Sequence, residues 1–413
     1  MWKWTDFSNW NTIILDLDSL EKKFADFPFK KYENLKNLIK VRQSKIAFVE
    51  NEIDVISYLD VKCLLKEVLD NYDCDSSTII AISGNHMFLK EMMQNHIGTI
   101  LAGEMKKDFL KHTPDFTIYT ERKLDEILKG NCTGYGAEVF ATYNCSKGTM
   151  SLLKCNNEIL LDDGSLKNVI YVFGGRYFST KHQYILNDPL STVILNFKNH
   201  YVQTVDLFFD SSIKFIREKI DQNIDIVTYI PLKPNDYIQK KYDRFQDLKL
   251  KDNAEAGYFM KKLLKCNMNF SQKGNDLEVR KEIVKGAFSL EDGIEIKGKN
   301  IIIVDDVFAT GSTMEEAVKT LYENGANKVY AIILSVNQLT ESINEFKNLK
   351  CPICNCPMVL NTNRKSGKLF FGCQNYLNHN TGKITYDVNE GLYKIKNLNK
   401  FDSLEILDLD DEY

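Results

Sequence analysis

Apolar runs and helical patterns alternate along the N-terminal part of this chain. Four short runs predict buried strands, at residues 12–15, 45–49, 78–82 and 98–101. Apolar positions at helical spacing between these runs predict helices, for instance at 59–71 and 87–95. Strands that alternate with helices form parallel sheets, so residues 1–130 are predicted to form an α/β unit.

A second alternation of this kind follows further along the chain. A helical pattern at 191–198 precedes a buried-strand pattern at 224–230. Together with later apolar runs, these patterns predict a second α/β unit with a parallel sheet at 188–340. The intervening residues, 131–187, predict a connector that is partly β, with a strand at 168–173.

The most distinctive pattern begins with the apolar, β-branched run at 301–304. This run predicts a strand covered on both faces, and it stops at two adjacent carboxylates, Asp305 and Asp306. A loop of small residues follows. The capping-box spacing of Thr313 and Glu316 then predicts the start of an amphipathic helix. Strand, loop and helix therefore meet within a single turn.

This turn offers two binding chemistries. Its loop consists of Ala309, Thr310, Gly311, Ser312 and Thr313. The loop presents backbone N–H groups, hydroxyls and the positive end of a helix dipole, all of which suit a phosphate. The paired carboxylates suit hydroxyl groups or a hydrated Mg²⁺ ion. A sugar phosphate with free hydroxyls would use both chemistries, whereas a lone Asp-Asp pair would favour an ordinary solvated turn.

The turn closely resembles the phosphoribosyl-diphosphate (PRPP) signature of type I phosphoribosyltransferases, with Phe308 where a smaller aliphatic residue is usual. The resemblance implies a parallel α/β fold in which Asp305 and Asp306 bind the ribose hydroxyls and residues 309–313 cradle the 5′-phosphate. It also implies that PRPP binds together with Mg²⁺.

A tetrapeptide earlier in the chain extends the resemblance to ComF-like members of this class. The sequence Pro231-Leu232-Lys233-Pro234 follows a predicted strand, at the place where the family holds pyrophosphate through backbone N–H groups. The resemblance assigns that role to Leu232 and Lys233, with Lys233 adding a mobile positive charge. A Pro-flanked turn with one solvated lysine is the alternative interpretation.

Other features of the second unit are similar to a ComF-like domain. Lys198 lies near the end of the first predicted helix, and the segments at 242–245 (Tyr-Asp-Arg-Phe) and 280–288 resemble family segments. The polar stretch at 265–278 predicts a flap over the site. Closure of such a flap would exclude water, which would otherwise intercept the activated sugar.

The first unit carries an acidic pair of its own. Asp16 and Asp18 follow the strand at 12–15, and the later strands and helices resemble the haloacid dehalogenase-like (HAD-like) phosphatase fold. In that family the first Asp is the nucleophile and the second is the general acid/base. Other family positions are altered here, because Glu50 replaces a hydroxyl residue and Ser83-Gly84-Asn85 has no carboxylate for Mg²⁺. We therefore expect a catalytically weak or inactive domain.

The C-terminal segment, residues 347–400, has the spacing of a structural zinc site. The best ligand set is Cys351, Cys354, Cys373 and His379. Cys356 is a fifth candidate, but it follows Cys354 too closely to sit well in the same knuckle. The pattern resembles the zinc ribbons of type IA topoisomerases, with His379 in the place of a cysteine.

Cations and aromatic residues are interleaved along this ribbon. They are Arg364, Lys365, Lys368, Phe370, Phe371, Tyr376 and Lys383. The combination suits single-stranded nucleic acid, through base stacking and phosphate contacts. The alternative is that the rings form the small core of the ribbon and the cations are solvated. Residues 401–413 predict an acidic tail.

Composition limits the remaining possibilities. The chain has 413 residues, 27% of them charged, and a formal net charge of -4, so contact with nucleic acid or an acidic membrane must be local. No apolar run reaches the ~20 residues that cross a bilayer, and the N-terminus lacks a signal-peptide pattern. Most of the ten cysteines are scattered, which is typical of reduced thiols. We expect a cytoplasmic protein.

Together these patterns predict an α/β protein of two parallel-sheet domains, HAD-like and then phosphoribosyltransferase-like, followed by a small zinc ribbon. The leading hypothesis is a PRPP- and Mg²⁺-dependent phosphoribosyltransferase whose acceptor no motif encodes. A different hypothesis is a regulator that senses PRPP or a nucleotide without turnover and binds single-stranded nucleic acid through its ribbon. An oligomeric assembly is compatible with both hypotheses.

Overall fold

A computed structural model describes most of the chain, namely residues 7, 9–23, 38–43, 55–58, 60–72, 75–142, 149–179, 188–198, 200–246, 248, 259–270, 277–338, 349–363, 368–373, 375–379, 382 and 384–394. Two α/β units and a small β unit make up this part of the chain. The strand predicted at 45–49, the altered family position at Glu50 and the tail at 401–413 lie outside the described residues.

The first sheet has six strands and is entirely parallel. Its strands are β1 (Thr12–Asp16), β2 (Leu38–Gln43), β3 (Val55–Tyr58), β4 (Ile79–Ser83), β5 (Gly98–Ala102) and β6 (Phe116–Ile118). Their spatial order is β3-β2-β1-β4-β5-β6. The strands predicted at 12–15, 78–82 and 98–101 are confirmed. Strand β2 is additional, since its Lys and Arg interrupt the apolar run that marks the other strands.

Helices connect the strands of this first unit. They are α1 (Leu17–Lys23), α2 (Val61–Tyr72), α3 (His86–Gln94) and α4 (Glu121–Leu128). The helices predicted at 59–71 and 87–95 are confirmed as α2 and α3. Asn85 caps α3 and Thr120 caps α4, each with a side-chain oxygen that accepts hydrogen bonds from backbone N–H groups of the first turn. These caps explain where the two helices begin.

The second sheet has seven strands and is parallel except at one edge. Its strands are β9 (Leu153–Leu160), β10 (Leu166–Phe173), β11 (Arg176–Tyr177), β12 (Ile226–Tyr229), β13 (Phe259–Met260), β16 (Asn300–Phe308) and β17 (Lys328–Asn337). Their spatial order is β13-β12-β16-β17-β10-β9, with β11 beside β17 and only β9 antiparallel. The strand predicted at 168–173 is confirmed as β10. It pairs with β17 although the sequence places it in the predicted connector.

Two small strand pairs and six helices complete the two α/β units in the described ranges. The pairs are β7 (Cys132–Tyr135) with β8 (Thr149–Ser151), and β14 (Leu264–Cys266) with β15 (Phe288–Leu290). The helices are α5 (Gly136–Ala141), α6 (Pro189–Phe197), α7 (Gln203–Lys219), α8 (Pro234–Ile238), α9 (Leu277–Val284) and α10 (Ser312–Glu323). None of the helices in these ranges is long and apolar enough to span a membrane.

Strand β16 lies at the centre of the second sheet and is covered on both faces, as its apolar run predicts. Ile301 and Ile303 join a buried cluster with Leu321 of α10. Ile302 joins a different cluster with Phe209 of α7. A fully buried aliphatic side chain contributes about 1.5–3 kcal/mol to stability. The centre of the sheet is therefore a firm support for the residues at the end of β16.

The two α/β units share a buried junction. Met105 of the first unit and Leu153 of β9 belong to the same apolar cluster. Beside it, Arg176 Nη1 lies 2.7 Å from the carboxylate of Asp115, and Arg176 Nε lies 2.9 Å from that of Glu138. These three side chains are at most 3% exposed. Removal of one member of such a network leaves a buried charge uncompensated, which typically costs about 3–5 kcal/mol.

The third unit is an antiparallel sheet of three strands, β18 (Met358–Thr362), β19 (Leu369–Cys373) and β20 (Thr385–Asp387). Its apolar side chains pack against Phe178 and Leu195 of the second unit. Phe371 is fully buried in this small core, whereas Tyr376 is 41% exposed. Arg364, Lys365 and Lys383 lie outside the described residues.

Two adjacent glycines, Gly174 and Gly175, allow the chain to pass close to its neighbours between β10 and β11. A Cβ atom at Gly174 would lie 2.4 Å from the carbonyl oxygen of Leu334 and 2.5 Å from Cβ of Ala137. We expect Gly174→Ala to lower the free energy of unfolding by about 1–3 kcal/mol, because neither neighbour can move freely. Urea denaturation of the full chain measures this change.

Gly136→Ala is the matched control for Gly174→Ala. A Cβ atom at Gly136 would meet Phe208 at 3.5 Å, which is ordinary contact, so we expect a change within about 0.5 kcal/mol. Equal effects of the two substitutions would contradict the close approach at Gly174.

Candidate functional site

The carboxyl end of β16 presents Asp305 and Asp306, but the strand does not stop there as predicted. Pairing with β17 continues through Val307 and Phe308. The Phe308 ring explains the extra length, because its centroid lies 5.3 Å from that of Phe173 in an edge-on contact and the side chain is buried. The larger aromatic residue therefore extends the strand by packing into the core.

The loop after β16 leads directly into α10. The predicted capping box is wrong, because α10 begins at Ser312 and its N-cap is Gly311, with no side-chain cap. Instead, the carboxylate of Glu316 accepts a hydrogen bond from the backbone N–H of Gly286 at 2.6 Å. Gly311 has φ +88°, and a Cβ atom there would lie 2.4 Å from the Phe308 ring. Both facts favour glycine at this position.

Unpaired donors line this loop. In the described part of the chain, the backbone N–H groups of Thr310 and Gly311 have no hydrogen-bond acceptor. The hydroxyls of Thr310 and Ser312 lie 3.1 Å apart. The first N–H groups of α10 add the positive end of the helix dipole. The N–H groups of Thr310 and Gly311 are therefore available to a phosphate group, since no described residue accepts a hydrogen bond from them.

Asp306 is buried beside a cation from another part of the chain. Arg244 Nη2 lies 3.0 Å from Asp306 Oδ1, and the two side chains are 19% and 8% exposed. Burial alone would raise the pKa of Asp306, but the charges of Arg244 and Lys198 outweigh it and hold this pKa below its usual value. Asp306 therefore stays ionised.

Asp305 is less deeply buried and has a different environment. Its Oδ1 atom accepts a hydrogen bond from the backbone N–H of Asp306 at 2.8 Å. Burial and the neighbouring negative charge of Asp306 raise the pKa of Asp305. The pKa values of the two acids are thus shifted in opposite directions. A cation or a hydroxyl donor that approaches Asp305 would relieve the repulsion between the two carboxylates.

Two further side chains lie close to this pair. Lys198 directly follows α6, and its Nζ atom lies 5.4 Å from the centre of the Tyr177 ring. Burial and the charge of Asp306 raise the pKa of the Tyr177 phenol to about 12. Tyr177 belongs to β11, a strand of only two residues that no sequence pattern predicts. Tyr177 reaches the site because β11 pairs with the end of β17, and that pairing is visible only in the folded structure.

The predicted pyrophosphate loop lies at the same edge of the sheet. Strand β12 pairs with β16 up to Tyr229 and Val304, and the loop with Leu232 and Lys233 follows immediately. Lys233 Nζ donates a 2.5 Å hydrogen bond to the carbonyl oxygen of Phe270. Burial lowers the pKa of Lys233. The first part of the predicted flap therefore lies against this loop, while its continuation at 271–276 is outside the described residues.

The acidic pair of the first unit has internal partners. Ser83 Oγ donates a 2.5 Å hydrogen bond to Asp16 Oδ2, and burial raises the pKa of Asp16. Asp18 accepts hydrogen bonds at 2.9 Å from Arg42 Nη1 and from the backbone N–H of Gln43. Protein groups therefore engage both carboxylates that the HAD-like resemblance singles out.

The four predicted zinc ligands converge. One ligand atom from each of Cys351, Cys354, Cys373 and His379 lies within 4.8 Å of the others. Cys354 Sγ lies 3.4 Å from Cys373 Sγ and 3.2 Å from His379 Nε2. A tetrahedral zinc ion with Zn–S bonds of about 2.3 Å needs ligand separations of this order. The hydrogen bond with His379 lowers the pKa of the Cys354 thiol to about 6, which favours the thiolate that zinc binds.

Comparison with known proteins identifies the domain that carries the Asp305–Asp306 turn. The model of the phosphoribosyl transferase domain matches residues 257–353. This match includes β16, the loop after it and α10. The second α/β unit therefore contains a phosphoribosyl transferase domain, within a mixed α/β fold of the predicted class.

Three relatives illustrate the extent of the similarity. The chain is 49% identical over 37 residues to the ribose-phosphate pyrophosphokinase of Thermococcus kodakarensis, which covers 9% of this chain and 13% of that enzyme. It is 25% identical over 229 residues to the enzyme of the same name from Thermoplasma volcanium, covering 52% and 71%. It is 45% identical over 51 residues to the DNA utilization protein YhgH of Escherichia coli, covering 12% and 22%. The chain thus spans only a small part of the first and third relatives.

We expect the full chain to bind one zinc ion, and Cys354→Ser to abolish that binding, because the serine hydroxyl is a poor substitute for a thiolate. Metal analysis of the purified protein after dialysis measures the ratio. Cys356→Ser is the control, since Cys356 lies in the same segment but outside the ligand cluster. Wild-type protein without zinc, or equal zinc loss in both variants, would contradict the ligand set.

Proposed function

We propose that this chain binds PRPP together with Mg²⁺ at the end of β16 and acts as a phosphoribosyltransferase. The observation that carries the proposal is the single turn that joins two carboxylates, Asp305 and Asp306, to a helix N-terminus with unpaired loop N–H groups. The phosphoribosyl transferase match at residues 257–353 supports it. One ligand that requires both chemistries is a phosphorylated pentose.

Each part of the ligand has a matching part of the site. Residues 309–313 would hold the 5′-phosphate, because loop N–H groups, hydroxyls and the helix dipole all favour an anion there. Asp305 and Asp306 would accept hydrogen bonds from the ribose hydroxyls. Leu232 and Lys233 would hold the pyrophosphate, since their loop follows the strand next to β16.

The charges around the turn fit a ligand with a diphosphate. Arg244 and Lys198 offset the charge of Asp306, and Lys233 adds a partly buried cation on the neighbouring loop. Partial burial reduces the local dielectric and strengthens the attraction between a lysine and a phosphate. Mg²⁺ bound with the substrate would offset further diphosphate charge, and the two carboxylates are oxygen donors of the kind that Mg²⁺ prefers.

In this proposal catalysis is mainly positional and electrostatic. As pyrophosphate leaves, the C1 atom of the sugar gains positive oxocarbenium character. The carboxylates would hold the ring through its hydroxyls, and Lys233 would stabilise the departing anion. The hydrogen bond from Lys233 to the carbonyl oxygen of Phe270 supports a flap that starts beside this loop and would exclude water when closed.

A second candidate function is a PRPP-sensing regulator that binds single-stranded nucleic acid through the zinc ribbon. Tyr376 and Leu377 favour it, since they are 41% and 81% exposed, and one relative is named a DNA utilization protein. The burial of Phe371 removes one of the rings from any stacking surface. Salt-sensitive binding of single-stranded DNA without release of pyrophosphate from PRPP would favour this second function.

Asp305→Asn combined with Asp306→Asn tests the first proposal. We expect PRPP affinity to fall at least about tenfold, because hydrogen bonds to charged groups each contribute about 1.5–3 kcal/mol. Titration calorimetry with PRPP and Mg²⁺ measures the affinity, and circular dichroism checks that the variant is folded.

Asp162→Asn combined with Asp163→Asn is the matched control for this pair. Asp162 and Asp163 are also adjacent, but they lie in the exposed turn between β9 and β10. Their replacement should leave the PRPP affinity unchanged. An unchanged affinity in the Asp305 and Asp306 variant would refute the proposed site.

A further inference from the structure

The ion pair between Arg244 and Asp306 is only half formed. Arg244 Nη2 contacts Asp306 Oδ1 at 3.0 Å. The neighbouring donor, Arg244 Nε, and the second acceptor, Asp306 Oδ2, are both buried and have no hydrogen-bond partner among the described residues. Arginine and carboxylate groups commonly form two parallel hydrogen bonds, with Nε–H and Nη2–H pointing the same way. Here one of the two bonds is missing.

Other contacts constrain the positions of both partners. The guanidinium carbon of Arg244 lies 4.9 Å from the centre of the Phe245 ring, which favours one orientation of the cation. The backbone carbonyl of Asp306 accepts a 3.1 Å hydrogen bond from Ser335 Oγ, within the ladder of β16 and β17. An unsatisfied buried polar group costs about 1–3 kcal/mol. A ligand could therefore form the hydrogen bonds that Arg244 Nε and Asp306 Oδ2 lack.

The combination of an N–H donor with a carboxylate acceptor selects the chemistry of that ligand. A phosphate or carboxylate could accept from Nε, but it would face the negative charge of Asp306. An ammonium group could donate to Oδ2, but Arg244 would repel it. A hydroxyl group satisfies both atoms, because its oxygen accepts one hydrogen bond while its hydrogen donates another. A water molecule has the same capacity and could bridge the two atoms before a ligand arrives.

We infer that the half-formed Arg244–Asp306 pair binds one hydroxyl of the pentose and makes Arg244 a specificity-determining residue for ribose over a deoxypentose. This inference rests on the proposed function, since it needs the sugar phosphate at the end of β16. Nε of Arg244 donates to the hydroxyl oxygen, and the hydroxyl donates to Asp306 Oδ2. Asp305 accepts from the adjacent hydroxyl. A sugar that lacks the first hydroxyl leaves both protein atoms unpaired, and that loss produces the discrimination.

Arg244→Lys tests the inference, because lysine keeps the charge opposite Asp306 but lacks the Nε donor. The probes are ribose 5-phosphate, 2-deoxyribose 5-phosphate and 3-deoxyribose 5-phosphate, titrated calorimetrically into the full chain. We expect the wild type to prefer ribose 5-phosphate over each deoxy sugar by about tenfold or more. In Arg244→Lys one of these two preferences should shrink to within about threefold while the other persists. Both preferences unchanged in the variant would overturn the inference.

The wild-type titrations separate this inference from the proposed function. A wild type that binds neither ribose 5-phosphate nor PRPP would overturn the proposed function, and the inference with it. A wild type that binds ribose 5-phosphate but does not distinguish it from the deoxy sugars would overturn the inference alone, because only water would then bridge the pair.

Two further variants keep the test decisive. Arg122→Lys makes the same chemical change in an exposed pair with Glu126, and it should leave all three affinities unchanged. If Arg244→Lys does not fold, Arg244→Gln combined with Asp306→Asn removes both buried charges together, and one of the two preferences should shrink while the other persists. Persistence of both preferences in that double variant would also overturn the inference.

Discussion

Burial of the Asp306 carboxylate is the constraint on which the second α/β unit depends. A charge at the end of a central strand is tolerated only when a cation lies beside it. That cation, Arg244, comes from the segment after α8, and Lys198 comes from the residue after α6. Their convergence requires β12 to lie next to β16, so the order of strands in the sheet and the electrostatics of the site depend on each other.

Local patterns were sufficient to predict the strands and helices that rely on local chemistry. The apolar run at 301–304 identified the central strand, and the acids after it identified the edge at which a ligand would lie. The capping-box prediction is wrong although Thr313 and Glu316 have the right spacing, because the Glu316 carboxylate instead accepts a hydrogen bond from the backbone N–H of Gly286. Strand β16 is also longer than the sequence predicts, since the packing of Phe308 against Phe173 is a long-range contact.

The candidate site also combines residues that local sequence reveals with residues that only long-range contacts bring together. Asp305, Asp306 and the loop at 309–313 are recognisable because they are contiguous in sequence. Arg244 was visible only as part of a family-like segment, and nothing in that segment indicates that its guanidinium group meets Asp306. The convergence of the zinc ligands was predictable, because spacing between cysteines is itself a geometric signal. Assignment of the ribose, phosphate and pyrophosphate roles remains a prediction about the ligand.

The buried junction around Arg176 has a practical consequence for anyone who divides this chain. The first sheet and the second bury apolar side chains in one common cluster, and the guanidinium of Arg176 bridges acids from both sides of the divide. A fragment that begins after residue 130 would expose part of this apolar cluster to water, and its Arg176 would keep Glu138 but lose the contact with Asp115. Exposed apolar surface of this kind favours self-association, so the second unit depends on the first to cover it.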